Sequence, residues 1–138
     1  MLKRFQFEIL SPDGKRFGDY AEILNVRLSD GQIGIMAGHV PLIGVIDTSW
    51  LNYKRDGKSF DFAISDGILN VQKDKVIILA SSFESRDEID IARAKEAEQR
   101  AKGLIEKAKE NQSDEIDLKR AQVALKKAIN RISLIERK

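Results

Sequence analysis

Two hydrophobic patterns divide the chain. Through residue 84 the chain reads as short strands and turns, several of the strands with apolar side chains at every second position. "FQFEIL" sets Phe5, Phe7 and Ile9 on one side of an extended segment with polar residues between them, the period of a half-buried strand. "SPDG" (11–14) then turns the chain. "EILNVRL" alternates again, and "SWLNYKRDGKSFDFAIS" predicts two strands joined at Asp56-Gly57, a dipeptide suited to the positive φ angles of a tight hairpin. "GILNVQKDKVIILA" repeats that plan around Asp74. Short strands at this regular spacing predict a compact all-β sandwich or barrel.

From residue 85 the period becomes helical. Ser85 with Glu88 three residues later has the spacing of a capping box, so a helix is predicted to start near Arg86 to Glu88, with Asp87 and Glu88 favoured by its dipole. It runs to about Glu110, "NQSD" breaks it, and Ser113 or Asp114 caps a successor. In the second helix Leu118, Ala121, Leu125, Ala128, Ile132 and Ile135 recur at alternating steps of three and four. Ala94, Ala97, Ala101, Leu104 and Ala108 supply a smaller-sided seam on the first helix, so the two close as an antiparallel hairpin. The expected organisation is a β domain over 1–84 and a two-helix domain over 85–138. Alanine seams bury little. A fully buried Leu or Ile contributes about 1.5–3 kcal/mol, whereas each ordered residue costs about 1–2 kcal/mol of backbone entropy. The closed hairpin is therefore expected to be marginally stable and open to being tipped by a ligand.

Composition narrows the chemistry. Hydrophobic residues make up 42% and charged residues 33%, a globular balance whose excess charge fits a long exposed helical element. With no cysteine there is no disulfide frame, thiolate metal site or cysteine nucleophile. No run approaches the roughly 20 apolar residues of a membrane-spanning helix, so a soluble chain is expected. The net charge of +2 is too small for a general nucleic-acid binder, but the last 20 residues hold seven Lys or Arg against one acid, Glu136.

Candidate chemistry is sparse. "GHVPL" lacks the Gly-Lys-Ser/Thr ending of a phosphate-binding loop, and its Gly38 and Pro41 shape a turn between strands. His39 is the single histidine, without companions for a metal site or a catalytic triad, which leaves it a structural or interface role. No pair of carboxylates is spaced as a general acid and base, so the chain is not expected to be an enzyme by itself. In "IDIARAKEAEQR", Asp90, Arg93 and Arg100 stand three and seven residues apart, along one face of a helix. They are either a surface pair with solvated neighbours or a place for phosphate oxygens on Arg93 and Arg100, with Asp90 accepting from an amino or hydroxyl group.

Over its whole length the chain resembles the ε subunit family of bacterial F-type ATP synthases. "GQIGIMAGHVPLIGVI" carries the spacing G-x-x-G-I-x-x-G-H-x-P-L, and "SPDG" and "SDGILNVQKDKVIILA" are similar to two further family blocks. The resemblance implies a β-sandwich of about ten strands followed by a mobile pair of helices. It also implies a non-catalytic rotor subunit of the central stalk that couples proton flow to ATP synthesis, bound to the γ subunit and the c-ring, with Gly38, His39, Pro41 and Leu42 at the rotor interface. Such a subunit lies at the cytoplasmic face of the bacterial membrane and meets the membrane only through the complex.

Family members that bind ATP carry I/L-D-x-x-R-A, and Ile89-Asp90-Ile91-Ala92-Arg93-Ala94 is similar at every specified position. By that resemblance the ATP site comprises Glu84, Ile89, Asp90, Arg93, Ala94 and Arg100, with Lys127 and Arg131 from the second helix. ATP, with or without Mg2+, would be a regulatory ligand, and no catalytic cofactor is implied. Lys127 departs from the family's arginine and loses the planar fork, which implies weaker phosphate binding. The resemblance further implies that the extended helices reach the α and β subunits and restrain ATP hydrolysis, with Arg120, Lys126, Lys127 and Arg131 facing an acidic stretch of β. A free-standing nucleotide-sensing or nucleic-acid-binding adaptor is the competing reading, weakened by the near-neutral β region and the lack of a nucleic-acid-binding motif.

Overall fold

The computed structural model describes residues 3–73, 75–110 and 115–137. The expected turn at Asp74, the "NQSD" break and its caps Ser113 and Asp114 lie outside the described residues. Two compact units divide at residues 87 and 88.

The first unit contains ten strands: β1 (Phe5–Leu10), β2 (Arg16–Ala21), β3 (Ile23–Leu28), β4 (Gly31–Ile35), β5 (Leu42–Ile46), β6 (Ser49–Arg55), β7 (Lys58–Ile64), β8 (Gly67–Val71), β9 (Lys75–Ala80) and β10 (Phe83–Ser85). They follow the order β10-β7-β6-β3-β5-β8-β9-β1-β2, with β4 on β3 outside that path. Local alternation decides much of this. In β1, Phe5, Phe7 and Ile9 are buried while the residues between them are not. Asp56 and Gly57 take φ of 53° and 73°, so the β6–β7 hairpin has the positive-φ turn that the dipeptide favours.

The sheet folds over on itself as a sandwich. Tyr53 Oη on β6 donates to Asp19 Oδ2 on β2 at 2.7 Å, and Arg55 Nε donates to the same oxygen at 3.1 Å. The rings of Phe17 on β2 and Phe62 on β7 pack 4.8 Å apart. Strands far apart on the hydrogen-bonded path thereby face each other across a core of Phe7, Leu24, Leu51, Tyr53, Leu69 and Ile78. β1 pairs in parallel with β9, in contrast to its antiparallel partner β2.

The second unit is a helical hairpin of α1 (Ile91–Glu110) and α2 (Glu115–Glu136). The expected helix start is corrected. Arg86–Glu88 forms a single 3-10 turn, and Ser85 belongs to β10, opposite Phe62 of β7. The α-helix itself starts later than the spacing predicts, at Ile91. The seam is corrected at two points. Ala94, Ala101 and Ala108 are buried on α1, but Leu104 is 50% exposed and Ile105 turns inward instead. On α2, Ala121 and Ala128 are buried as expected, while Leu134 is fully buried and Ile135 only half-buried.

Candidate functional site

α1 begins where its backbone donors find an acceptor. Asp90 Oδ1 accepts from the backbone N–H of Arg93 at 3.2 Å, and the Asp90 carbonyl accepts from Ala94 N–H at 3.0 Å. Asp90 is therefore the helix N-cap. No acidic residue stands in the first turn of α1, so this carboxylate sits at the positive end of the dipole without an acidic neighbour there. The surface-pair alternative for Asp90 and Arg93 is replaced by a bond to the backbone. One carboxylate oxygen is thereby engaged by the backbone.

The other motif positions sort by exposure. Ile89 is half-buried and Ala94 is buried in the seam, so both serve packing, while Arg93 and Arg100 are exposed. The latter two lie seven residues apart, about 10.5 Å along α1 on the same face. Lys127 and Arg131 are half-buried one turn apart on α2, beside the seam residue Ala128. α2 returns along α1, so the buried residues pair in order, Ala108 with Ala121, Ala101 with Ala128, and Ala94 with Leu134. That order sets Arg100 and Lys127 beside one seam layer. Arg120 and Lys126 are exposed, with Arg120 two turns before Lys127 on its face. Glu84 lies on β10, opposite Ala63, in the first unit.

The loop between β4 and β5 holds the expected rotor-interface residues. Gly38 adopts φ +82°, in the left-handed region where other residues are strained, and is exposed. His39 N–H donates to the Met36 carbonyl at 3.1 Å, closing the turn. His39 Nδ1 lies 2.8 Å from the Val40 carbonyl, and since a carbonyl can only accept, Nδ1 carries the hydrogen. His39 is thus committed to shaping the loop. Pro41 is exposed, and Leu42 packs against the core. A recess beside this loop, lined by Phe5, Met36, His39, Lys73 and Lys75 among others, has a cavity volume of only about 10 Å³, far below the roughly 300–1,000 Å³ of small-molecule sites. Among the described residues, no group of three or more His, Asp or Glu side chains is placed to hold a metal ion.

Sequence reasoning missed a larger surface. Val45, Ile68 and Leu79 are register partners across β5, β8 and β9, and they are 59%, 46% and 49% exposed. Ile43 extends this row at 75%, and Val40 in the adjoining loop is 70% exposed. Leu10 on β1 is the parallel partner of Leu79. A contiguous apolar sheet face of this kind marks an interaction surface. The available signal was that "LIGVI" and "KVIILA" are apolar at nearly every position, the mark of strands covered on both faces.

A β-sandwich with an exposed apolar row, followed in the chain by an alanine-seamed helical hairpin, defines the class of protein. The family description "ATP synthase, Delta/Epsilon chain, beta-sandwich domain" matches residues 4–86, and "ATP synthase, Delta/Epsilon chain, long alpha-helix domain" matches 87–136. The ATP synthase epsilon chain of Caldicellulosiruptor saccharolyticus is 40% identical over 135 residues, covering 98% of this chain and 96% of that one. The epsilon chain of Bacillus pumilus is 36% identical over 133 residues, covering 96% and 98%. A chain in the Euglena gracilis mitochondrial ATP synthase assembly of OSCP, F1 and c-ring shares the fold, with a TM-score of 0.77, 19% identity and coverage of 94% and 80%. The chain belongs to the ATP synthase delta/epsilon family, and within it to the bacterial epsilon chains, non-catalytic subunits of the central stalk.

Proposed function

We propose that the chain rides in the rotor of a proton-translocating ATP synthase, docking on the γ subunit through the apolar face of β5, β8 and β9. The observation that carries this reading is the exposed cross-strand row Val45–Ile68–Leu79. Covering it removes apolar area from water at about 25 cal/mol per Å². The β4–β5 loop, with exposed Gly38, Val40 and Pro41, adjoins β5 and serves the c-ring side of the same interface. The subunit thereby helps couple proton flow to ATP synthesis, and it meets the cytoplasmic face of the membrane only through the complex. No helix among the described residues is long and apolar enough to cross a bilayer.

The hairpin supplies regulation. ATP binds beside Arg93, Arg100, Lys127 and Arg131, whose donors meet the phosphates, while Asp90 serves the nucleoside end. Ligand at a hundredfold excess over its dissociation constant stabilises the closed hairpin by about 2.7 kcal/mol. That is large against a seam made mostly of alanine. When ATP is scarce the helices extend toward the α and β subunits, where Arg120, Lys126, Lys127 and Arg131 face acidic groups and restrain hydrolysis. Family membership removes the ground for a free-standing adaptor.

Two measurements test this reading. V45D/I68D should weaken binding to purified γ by at least about tenfold, since each charge would be desolvated at the contact. Unaltered γ binding sinks the docking assignment. ATP titration of the full chain with a distance probe across α1 and α2 should show saturable closure, lost in R93A/R100A. A probe signal indifferent to ATP sinks the regulatory half alone.

A further inference from the structure

The seam alanines carry a second pattern. Each of the five buried ones is preceded by a base: Arg93-Ala94, Arg100-Ala101 and Lys107-Ala108 on α1, Arg120-Ala121 and Lys127-Ala128 on α2. A residue one step before a seam position lies about 100° around the helix. In two helices that run oppositely, reversing the chain direction and facing the partner cancel, so both sets of preceding residues fall on one side of the hairpin. Arg100 thus accompanies Lys127, and Lys107 accompanies Arg120, as two rungs about 10.5 Å apart. With Arg93 at the base, the cations of α1 extend along about 21 Å.

The opposite flank differs. There α1 has Lys95, Lys102 and Lys109, but α2 presents Gln122 and Ile129, so no cations face each other, and Lys102 pairs with Glu98 at 3.8 Å. On the cationic side Glu96, Glu110 and Asp117 stand within a turn, yet among the described residues none forms an ion pair with the five bases. Facing like charges weaken helix pairing, so closure leaves a repulsion that an anion would relieve.

We propose that this side of the hairpin binds linear inorganic polyphosphate, with Lys107 and Arg120 forming a subsite beyond the nucleotide phosphates. The assignment rests on the nucleotide reading only for the Arg100/Lys127 rung. Two rungs this far apart are not spanned by one phosphate, and they match a flexible chain charged along its length. Arginine in three of the five positions favours phosphate oxygens through its forked donors.

The test is calorimetric titration of the full chain with short sodium polyphosphate of uniform length, and separately with ATP. K107Q should weaken polyphosphate binding about threefold and K107Q/R120Q about tenfold, as two exposed charge contacts together account for roughly one decade. K107Q should leave ATP affinity unchanged, and circular dichroism should show intact helices, since Gln is a good helix former. Equal polyphosphate affinity in wild type and K107Q/R120Q overturns the subsite, whether or not ATP binds. Polyphosphate binding with the expected losses, but no ATP binding, upholds the subsite and overturns the nucleotide reading instead. Poly-glutamate of matched charge binding as tightly as polyphosphate overturns the phosphate assignment.

Discussion

Asp90 is given two tasks, capping α1 and meeting a nucleotide, and two substitutions separate them. Asn keeps a side-chain oxygen for the Arg93 N–H, whereas Ala keeps none. Both remove the charge. Loss of a cap costs about 0.5–2 kcal/mol, typically about 1, while Asn ranks with Asp as a cap and forfeits only the weak, salt-screened dipole contribution. In the structure that oxygen lies 3.2 Å from the Arg93 nitrogen, and α1 packs through alanine, so little else holds the first turn. A loss of about 1 kcal/mol raises the frayed population about fivefold. Hydrogen exchange on the full chain should therefore show the amides of Arg93, Ala94 and Lys95 exchanging about fivefold faster in D90A, and less than about twofold faster in D90N. ATP affinity read on the same proteins completes the separation. If the carboxylate meets the ligand, D90N and D90A lose affinity alike; if only D90A loses it, Asp90 acts through the helix. Identical exchange in D90A and wild type would refute the capping assignment.

Three further outcomes follow from the packing. Ala128 is fully buried where the two helices meet, so A128L should overpack the hairpin by about 1–3 kcal/mol and lower its melting temperature, whereas L104A, at a half-exposed site, should shift stability by no more than about 0.5 kcal/mol. A Cβ at Gly67 would lie 2.0 Å from the Leu79 carbonyl oxygen, so G67A should cost at least about 2 kcal/mol and move the urea midpoint of the β unit downward; an unchanged midpoint would contradict the β8–β9 geometry. Burial pushes the Asp19 carboxyl up, but hydrogen bonds from Tyr53, the Tyr20 N–H and Arg55 outweigh it and hold the carboxyl below its ordinary value. A depressed folded value contributes stability above the unfolded pKa near 3.9 and loses it as pH falls through the lower folded value, so acid denaturation below about pH 4 should be less steep in D19N.

What was legible along the chain is what neighbouring residues decide among themselves. Alternation in "FQFEIL" and "EILNVRL" marks β1 and β3 because a pleated strand sends successive side chains to opposite faces. Asp56-Gly57 marks its turn because those two residues tolerate positive φ. The base-alanine repeat of the hairpin is likewise written in residue order, at seven-residue steps. The motif around Asp90 was legible as a motif, but its capping role was hidden by the Ser85–Glu88 pair, which satisfies the same local rule.

The tertiary structure decided the rest. β10 carries the chain through Ser85, paired with Phe62 23 positions earlier, and the α-helix starts only at Ile91, with Asp90 as its cap. Leu104 and Ile105 are adjacent and equally apolar, so only the approach of α2 selects which one turns inward. The parallel pairing of β1 with β9 joins segments about 70 residues apart, beyond anything local alternation encodes. The apolar row of Val45, Ile68 and Leu79 exists only because register aligns three strands and no further layer of this chain's own sheet covers that face. Propensity and period act within a few residues, whereas register, coverage and the choice between equivalent side chains depend on which distant segment comes to lie alongside.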